Sequence, residues 1–597
     1  MWTREQRDVR TLGDWTFELR GDEIADLRWQ GRTVLRSVRA VVRDRDWNTA
    51  PLVVDRIRET EATLTLHVRS EALGSSFAGV VRVEARPAGI VVICDLETAE
   101  TFDTNRTGLV VLHPPHLSGV VLRVAHPDGR VEETGFPREI SPHQPVQDIA
   151  ALTWLDDGLE VAVEFTGDVF EMEDQRNWTD ASFKTYSRPL ALPFPYRLEA
   201  GERVVQQIAV AVRAFATSTT DAGAAAGADA ADTIDLVAGG VFPEVTVGAS
   251  TAPSLAGAMA APAGPTIGAS RLVELDLAWA GWPAALQRAA DAGLPLDVRL
   301  VIADADPAGS LRAAARALRG VDVVRVTAFW PTGPARHVAD AEAIALLHAA
   351  LVDAEIGGQD ADHPASAPRP AVVGGVRSHF TELNREHHRL PEGLAGVVFS
   401  VTPLFHSLDT AQLVESVAMQ RIVAQQAVGL AGAAPVHIGP ISLRPHFNDV
   451  ATTRPPLPEV ADLSQGYGPE VTDAADERQA APELAAWTIA SAAALAVPGV
   501  ATLSYFEEWG PRGIRTAAGD DLPVAAALRA LDALAGTTLV TGATPDGLVW
   551  AVGGAHDDGR ATVLVANLDT AERTVRLGGA APGATVTVGA GAWASHR

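Results

Sequence analysis

The chain of 597 residues contains a single cysteine, Cys94, in the apolar run at 89–94. One cysteine excludes an internal disulfide and a cysteine-rich zinc site, and the apolar run favours a buried strand thiol. Basic residues are also scarce, since 48 Lys and Arg stand against 75 Asp and Glu and the net charge is -27. An acidic chain without basic runs repels phosphate backbones, so we expect no nucleic-acid partner.

Long apolar segments and several catalytic motifs are missing too. No apolar run approaches the ~20 residues that span a bilayer, and the N-terminus is charged rather than apolar, so we expect a cytoplasmic protein without a membrane partner. The absence of a GxSxG elbow argues against a serine hydrolase of the α/β-hydrolase type, and GxxxxGK and HExxH motifs are absent as well. No histidine cluster has ligand spacing, and the adjacent His387 and His388 are interpreted as exposed loop residues. We therefore predict neither a metal ligand nor a cofactor, and the sequence leaves open whether a divalent ion assists.

Changes of pattern divide the chain into domains. Residues 1–215 alternate apolar and polar positions between turn signals, which predicts an N-terminal β-sandwich. Residues 216–235 begin with a low-complexity stretch lacking bulky apolar side chains, which indicates a linker. Residues 236–535 alternate short apolar runs with Ala- and Leu-rich helical segments, and in 536–597 the period of two returns, which predicts a small C-terminal β-sandwich.

The middle section is predicted to be a (β/α)₈ TIM barrel. Its apolar runs are continuous, which is typical of strands buried on both faces, and eight of them suit a barrel of ordinary size. The runs lie at 244–249, 272–278, 296–302, 323–329, 371–376, 396–402, 435–441 and 499–505. The alternative is a doubly wound open sheet, which would be favoured by a Gly-rich phosphate loop after the first strand, and none is present.

Polar and aromatic side chains follow the predicted strands, where barrel enzymes place their catalytic groups. The mixture of carboxylates, imidazoles, amides and indoles suits a sugar-like ligand, although each residue could also cap a helix or form a turn. The catalytic candidates here are Glu507, whose position after an apolar strand could raise its pKa by burial, and Glu382 as its acid–base partner. The binding candidates at strand ends are Trp330, His379, Asn384, His406 and Asn448.

An aperiodic stretch at 170–186 mixes acids, Arg, Asn and Lys with Trp, Phe and Tyr. A solvated loop explains the charges but not the aromatic residues, so the stretch is either a lid over the barrel mouth or a clasp between domains. It supplies Glu173 as a third catalytic candidate. Its binding candidates are Asp174, Arg176, Asn177, Trp178 and Lys184.

Segments 171–186, 381–385, 443–448 and 476–479, with the strand end at 505–507, together resemble the D-apionate lactonases in order and spacing. The resemblance implies hydrolysis of D-apionolactone, or a related aldonolactone, in the breakdown of a branched plant pentose, with a small carbohydrate as substrate. The sequence departs from the family pattern at Glu508-Trp509, at Pro511 and at His446, where an Arg is expected. These departures leave the exact lactone open, and the sequence does not indicate an oligomeric state.

Two other functions compete with lactone hydrolysis. Retaining barrel glycosidases commonly carry an Asn-Glu pair after strand 4 and a Glu after strand 7, and residues 329–331 and 444–446 offer no carboxylate. A sugar-binding protein without catalysis would need stacking aromatics but no paired acids. Convergence of Glu382 and Glu507 to about 5–9 Å would favour glycosidase chemistry, whereas one carboxylate facing Arg, Lys or His would favour lactone opening.

For a lactonase without a serine or cysteine elbow, direct attack by water is the simplest scheme. We expect Glu507 to act as base or acid, with Glu173 or Glu382 as its partner. The oxyanion would then be stabilised by Arg176, Lys184 or His406.

Overall fold

The computed structural model describes residues 2, 8–87, 89–215, 233–254, 266–356, 369–451, 453–555, 561–580 and 583–596. The N-terminal domain is built from antiparallel strands in two sheets. These strands are β1 (Asp8–Leu12), β2 (Trp15–Arg20), β3 (Glu23–Trp29), β4 (Arg32–Asp44), β5 (Thr49–Ala50), β6 (Val53–Glu59), β7 (Thr63–Ser70), β8 (Phe77–Arg86), β9 (Gly89–Thr98), β10 (Phe102–His113), β11 (Val121–Ala125), β12 (Val131–Gly135), β13 (Val146–Ile149), β14 (Ala151–Asp156), β15 (Leu159–Thr166), β16 (Phe170–Asp174), β17 (Phe183–Ser187), β18 (Tyr196–Leu198) and β19 (Arg203–Ala214).

The two sheets confirm the expected N-terminal β-sandwich. One has the order β1-β2-β3-β4-β10-β17-β16-β13, with β5 beside β4 and β18 beside β10, and the other runs β12-β11-β14-β15-β19-β9-β8-β7-β6. Alternate residues of both sheets meet in one core, in which Leu35 of the first sheet and Val92 and Val163 of the second are fully buried. The period of two in the sequence therefore arises because each strand has one face in this core.

A strand, β20 (Thr233–Val241), follows residues 216–232, which lie outside the described residues. Most of the predicted linker therefore falls where the structure gives no description. Its last residues, 233–235, belong to β20, because Ile234 and Leu236 alternate into the core of the C-terminal domain.

Parallel strands of the barrel follow. They are β21 (Glu244–Gly248), β22 (Arg271–Asp276), β23 (Leu296–Val301), β24 (Val323–Phe329), β25 (Ala371–Val372), β26 (Gly374–His379), β27 (Val397–Val401), β28 (Val436–Ile441) and β29 (Val500–Glu507). The order β25-β24-β23-β22-β21-β29-β28-β27-β26 closes into a ring, because only Val373 separates β25 from β26. Each of the eight predicted runs overlaps strand residues of this ring, so the strand order agrees with the predicted TIM barrel rather than with an open sheet.

Helices on the barrel are α1 (Trp282–Ala290), α2 (Pro307–Ala317), α3 (Ala341–Asp353), α4 (Phe380–Glu386), α5 (Thr410–Ala431), α6 (Glu483–Leu495) and α7 (Pro523–Asp532). Helix α6 is buried on all sides, and its Trp487 shares a core with Trp550 and Leu564 of the C-terminal domain. Among the described residues between β28 and α6, the regular elements are short 3₁₀ turns only, and residues 445–447 and 449 of this segment line a small cavity together with residues of the barrel strands.

The C-terminal domain contributes β30 (Thr538–Ala543), β31 (Val549–Ala555), β32 (Ala561–Asn567), β33 (Arg573–Gly579), β34 (Thr585–Val588) and β35 (Trp593–His596). Together with β20 they are hydrogen-bonded in the order β34-β33-β20-β30-β31-β32-β35. The sandwich expected here stays a prediction. In the parts of the chain that the structure describes, no helix is long and apolar enough to cross a membrane.

Candidate active site between the N-terminal sheet and the barrel

A cavity of about 350 Å³ lies between the first sheet of the N-terminal domain and the barrel loops that follow β26 and β27. The sheet contributes alternate residues of β4, including Arg39 and Arg43, whose intervening neighbours are buried in the sandwich core. The barrel contributes Glu382 from α4 and His406 from the loop after β27. His406 also lines a wider neighbouring cleft.

The turn at 174–180 connects β16 with β17 and lies against the barrel. Asp174 accepts hydrogen bonds from Arg176 Nε at 2.8 Å and Nη2 at 2.7 Å, and from the Ser141 amide at 3.0 Å. Arg176, only 1% exposed, also donates to the carbonyl oxygens of Pro137 and Glu139. Neither side chain lines the cavity, so the structure places these two binding candidates in the scaffold of the turn. The arginine is here because a buried turn without regular hydrogen bonding needs donors for its carbonyl groups.

Two asparagines join this turn to the barrel. Asn384 Nδ2 donates to Asn177 Oδ1 at 2.9 Å and to the Ile140 carbonyl at 3.0 Å, and Asn177 donates to the Ser141 carbonyl at 2.6 Å. Both amides are buried and neither lines the cavity. They hold the domains together, which is the clasp interpretation of the 170–186 stretch.

The same turn also covers part of the barrel mouth. Trp178 lines the cavity and stacks on Phe405, with ring centroids 4.4 Å apart and an interplanar angle of 10°. His379 lies beneath these rings, 5.3 Å from the indole, and does not line the cavity. Its Nδ1 is 2.9 Å from Asp449 Oδ2 and its Nε2 contacts the Thr402 hydroxyl, so its ring nitrogens are used inside the barrel.

An ion pair stands at the centre of the cavity. Lys184 Nζ lies 2.5 Å from Glu173 Oε2, and Arg385 Nη2 is 3.9 Å from the other carboxylate oxygen. Burial raises the pKa of Glu173, but Lys184, His406 and Arg385 together lower it by more than burial raises it. The pKa of Glu173 therefore lies well below the usual value. Burial also lowers the pKa of Lys184, with a contribution from Arg43 that opposes the attraction of Glu173. The centre therefore holds an ionised carboxylate facing cationic and imidazole groups.

A carboxylate–imidazole pair lies beside it. Asp180 Oδ2 is 2.7 Å from His406 Nδ1, and Gln412 donates to the other oxygen of Asp180 at 2.7 Å. Burial is the main reason that the pKa of His406 is lowered, with Asp180 acting in the opposite direction. The imidazole is therefore neutral near pH 7, and Asp180 holds the Nδ1 proton so that Nε2 is the basic nitrogen.

Glu382 is the third carboxyl group of interest in the cavity. It lies in the first turn of α4, and burial raises its pKa to about 7, although Arg385 and Arg336 act in the opposite direction. A carboxyl group with this pKa is half protonated at neutral pH and can give or take a proton. Glu382 and Glu173 thus line one cavity with pKa values displaced in opposite directions.

Glu507 does not line this cavity. Its carboxylate accepts from the Thr251 amide at 2.9 Å, the Thr251 hydroxyl at 2.7 Å and Arg512 Nε at 2.9 Å, and its residue is 3% exposed. Arg512 reaches it because the chain turns back after β29, where Glu507 and Gly513 form an isolated bridge. Glu507 and Glu382 therefore do not line one cavity, so the geometry does not support their expected pairing, and the carboxylate of Glu507 is held instead in an ion pair with Arg512.

Trp330 and Asn448 also lie outside this cavity. Trp330 Nε1 donates to Asp340 Oδ1 at 2.8 Å, and Asp340 caps α3. Asn448 donates to the Asp46 carbonyl at 2.8 Å and to Asn48, which ties the barrel to the N-terminal domain. Of the predicted residues, the cavity brings together Glu173, Trp178, Lys184, Glu382 and His406.

Sequence reasoning missed the contribution of the first sheet. Residues Ser37, Arg39, Val41 and Arg43 all line the cavity, while Val38, Ala40 and Val42 are buried in the sandwich. The available signal was that Arg39 and Arg43 fall on the face of β4 opposite to its core residues, in a strand whose faces alternate with a period of two. Asp180 and Tyr186, within the stretch that was singled out, were missed as well.

Comparison with known proteins agrees with this architecture. Residues 2–214 match the model of the D-apionate lactonase N-terminal domain, and residues 264–536 match that of the D-apionate lactonase TIM barrel domain. The D-apionate lactonase of Brucella anthropi is 28% identical over 464 residues, which cover 72% of this chain and 71% of that protein.

Two solved structures show weaker likeness. The GH36 α-galactosidase AgaA of Geobacillus stearothermophilus is 10% identical, covering 96% of this chain and 94% of its own, with a TM-score of 0.26. SrfJ of Salmonella typhimurium is 11% identical, covering 68% of this chain and 97% of its own, with a TM-score of 0.35. At these TM-scores neither structure bears on function.

The two domain matches and the curated relative show which class of protein this is, a hydrolase built on a TIM barrel with an N-terminal β-domain. Within that class the chain belongs to the D-apionate lactonase family.

Proposed function

We propose that this hydrolase opens a sugar-acid lactone, D-apionolactone or a similar aldonolactone, in the cavity between the N-terminal sheet and the barrel. The observation that carries the proposal is the Glu173 carboxylate facing Lys184, Arg385 and His406. Hydrolysis of an ester places negative charge on the carbonyl oxygen, and fixed cations in a site with little water stabilise that charge. The name of the curated relative supports an apionate-like acid as the product.

The residues suggest a division of roles. His406, neutral and oriented by Asp180, takes a proton from water through Nε2 as the oxygen attacks the carbonyl carbon. Lys184, held in place by Glu173, stabilises the oxyanion.

Collapse of the tetrahedral intermediate breaks the bond to the ring oxygen. That oxygen receives the proton of the Glu382 carboxylic acid and becomes a hydroxyl group. The new carboxylic acid ionises, and exchange with solvent returns His406 and Glu382 to their starting states.

Glycoside hydrolysis is the second candidate because Glu173 and Glu382 line one cavity with pKa values displaced in opposite directions. An ionised carboxylate and a protonated one are the pair that a glycosidase needs. Family membership favours the lactone. The cytoplasmic location expected from the sequence stays a prediction.

A hydrolysis screen tests the proposal. Aldonolactones of four to six carbons are assayed with a pH indicator beside aryl glycosides, and spontaneous opening in buffer is subtracted. We expect turnover of lactones that His406→Gln lowers by about 10²–10⁴-fold. His388→Gln, at an exposed position of the barrel, is the matched control. Turnover of aryl glycosides without turnover of lactones would overturn the proposal.

A further inference from the structure

Two arginines that have no carboxylate partner among the described residues stand opposite each other on one wall of the cavity. Arg43 of β4 and Arg106 of β10 are directly paired in the register of the sheet, and both line the cavity. Like charges directly opposite each other on neighbouring strands are destabilising. Neither guanidinium has a carboxylate of the described residues within ion-pair distance, whereas the nearby Arg39 is paired with Asp22 at 3.0 Å.

The Arg106 guanidinium is buried with unused donors. The residue is 3% exposed, and its Nη1 donates to the Asn105 carbonyl at 2.7 Å, but Nε and Nη2 are buried and have no hydrogen-bond partner among the residues that the structure describes. Its Cζ atom lies 4.9 Å from the ring centroid of Trp47 and 5.3 Å from that of Tyr186. Aromatic walls hold the charge in place but satisfy none of its hydrogen bonds.

Arg43 interacts electrostatically both with Arg106 and with Glu173. Its Nη1 donates to the Trp47 carbonyl at 3.0 Å. Burial lowers its pKa, and Arg106 adds to this effect while Glu173 opposes it. Buried donors without acceptors and adjacent like charges both cost stability, so an anion that accepts from both guanidiniums would offset two unfavourable features at once.

We propose that Arg43 and Arg106 form a carboxylate-binding subsite for a sugar acid, with Trp47 and Tyr186 as its side walls. This inference rests on the proposed function, because it names the charged group that the cavity recognises. Two planar guanidinium forks match a carboxylate. The carboxylate has two possible sources: it is formed by ring opening, or the lactone already carries it as a second acid group.

Binding measurements test the subsite without turnover. Titration calorimetry compares xylonate and ribonate with xylitol and ribitol, which have the same carbon chains without the carboxylate. We expect the wild-type protein to bind the acids roughly 10- to 100-fold more tightly than the alditols, the range of a charge-assisted hydrogen-bond pair. Arg106→Gln removes that difference and Arg106→Lys restores part of it. Arg69→Gln, on β7 in the second sheet of the sandwich, is the matched control.

Kinetics separates the two sources. For a carboxylate carried by the substrate, wild-type protein prefers glucaro-1,4-lactone over galactono-1,4-lactone in kcat/KM, and Arg106→Gln removes the preference. For a carboxylate formed by the reaction, no preference exists, and product inhibition by the aldonate weakens in the variant. Either result supports the subsite.

Equal affinity of the wild-type protein for acids and alditols would overturn the subsite, and this measurement requires no variant to fold. Unchanged discrimination in folded Arg106→Gln and Arg43→Gln would overturn it too. A protein that binds sugar acids selectively but opens no lactone retains the subsite and loses the proposed function.

Discussion

Replacing Glu507 with Gln tests whether this carboxylate is structural. The change keeps the side-chain shape but removes the negative charge that faces Arg512 and one of the two acceptor oxygens. Thr251 donates through its amide and its hydroxyl to the two oxygens of Glu507, so the new NH₂ group must face a donor. Arg512 keeps one ion pair, with Glu470 at 2.8 Å.

The expected loss follows from these contacts. Removing one partner of a buried ion pair costs about 3–5 kcal/mol. Because Glu470 still neutralises Arg512 and the amide fills the same volume, we expect about 2–3 kcal/mol. For a domain the size of this barrel, each kcal/mol shifts the melting midpoint by roughly 2–4 °C. The barrel transition of Glu507→Gln should therefore fall by about 4–12 °C.

The assay combines thermal melting with lactone hydrolysis at a temperature where both proteins are folded. We expect kcat of Glu507→Gln within about threefold of wild type, because the side chain does not line the cavity. Glu392→Gln, an exposed barrel position, is the control for loss of a carboxylate alone. A variant that melts like wild type and has lost a hundredfold or more of kcat would refute the reasoning. In that case Glu507, at the end of β29, would be a catalytic carboxylate.

The barrel could be predicted from the sequence because each of its strands is marked by a local feature, a continuous apolar run. The run at 296–302 contains β23 (Leu296–Val301), and the other runs are similarly placed, since strands buried on both faces need continuous apolar residues. The run at 371–376 is a single segment in the sequence but two short strands in the structure. The break falls at Val373, and the pairing of β26 with β27 shifts register after Gly375, whose φ of 124° is a conformation that only glycine adopts readily.

Ranking the carboxylates was beyond the sequence, because the deciding partners are distant along the chain. An acid at the end of an apolar strand has the same pattern whether it faces a cavity or an arginine. Thr251 lies 256 residues before Glu507, and nothing local announces their contact. Glu382, ranked second, has no such partner among the described residues, and burial raises its pKa to about 7.

The role of the 170–186 stretch was open for a related reason. Its composition predicted a contact with the barrel but not which residues would face the ligand. Asp174 and Arg176, two residues apart, form an ion pair with each other. That pairing depends on the 3₁₀ turn that follows Asp174, and no periodic pattern in the sequence predicts this turn. Lys184 lies on the same strand as Tyr186, and the period of two there places both on the cavity face.

Three further predictions concern the cavity. Glu382 has a raised pKa of about 7, so a general acid at this position is protonated below pH 7, and kcat should fall as the pH rises through that value. Glu382→Gln should remove this limb of the pH–rate profile and lower kcat by about 10²–10⁴-fold. An unchanged profile would contradict the role of Glu382 as the acid. Asp180→Asn should lower kcat less than His406→Gln does, because it leaves Nε2 in place but removes the charge and one of the two acceptor oxygens that hold His406 and Gln412. Equal binding of an aldonate by both variants is the control for folding. A larger loss of kcat for Asp180→Asn would reverse the assignment. Trp178→Ala removes a buried ring stacked on Phe405, and such truncations cost about 3–5 kcal/mol, so the melting midpoint should fall. Because the same indole lines the cavity, KM for the lactone should rise as well, and a destabilised variant with wild-type KM would show that Trp178 acts only in the clasp.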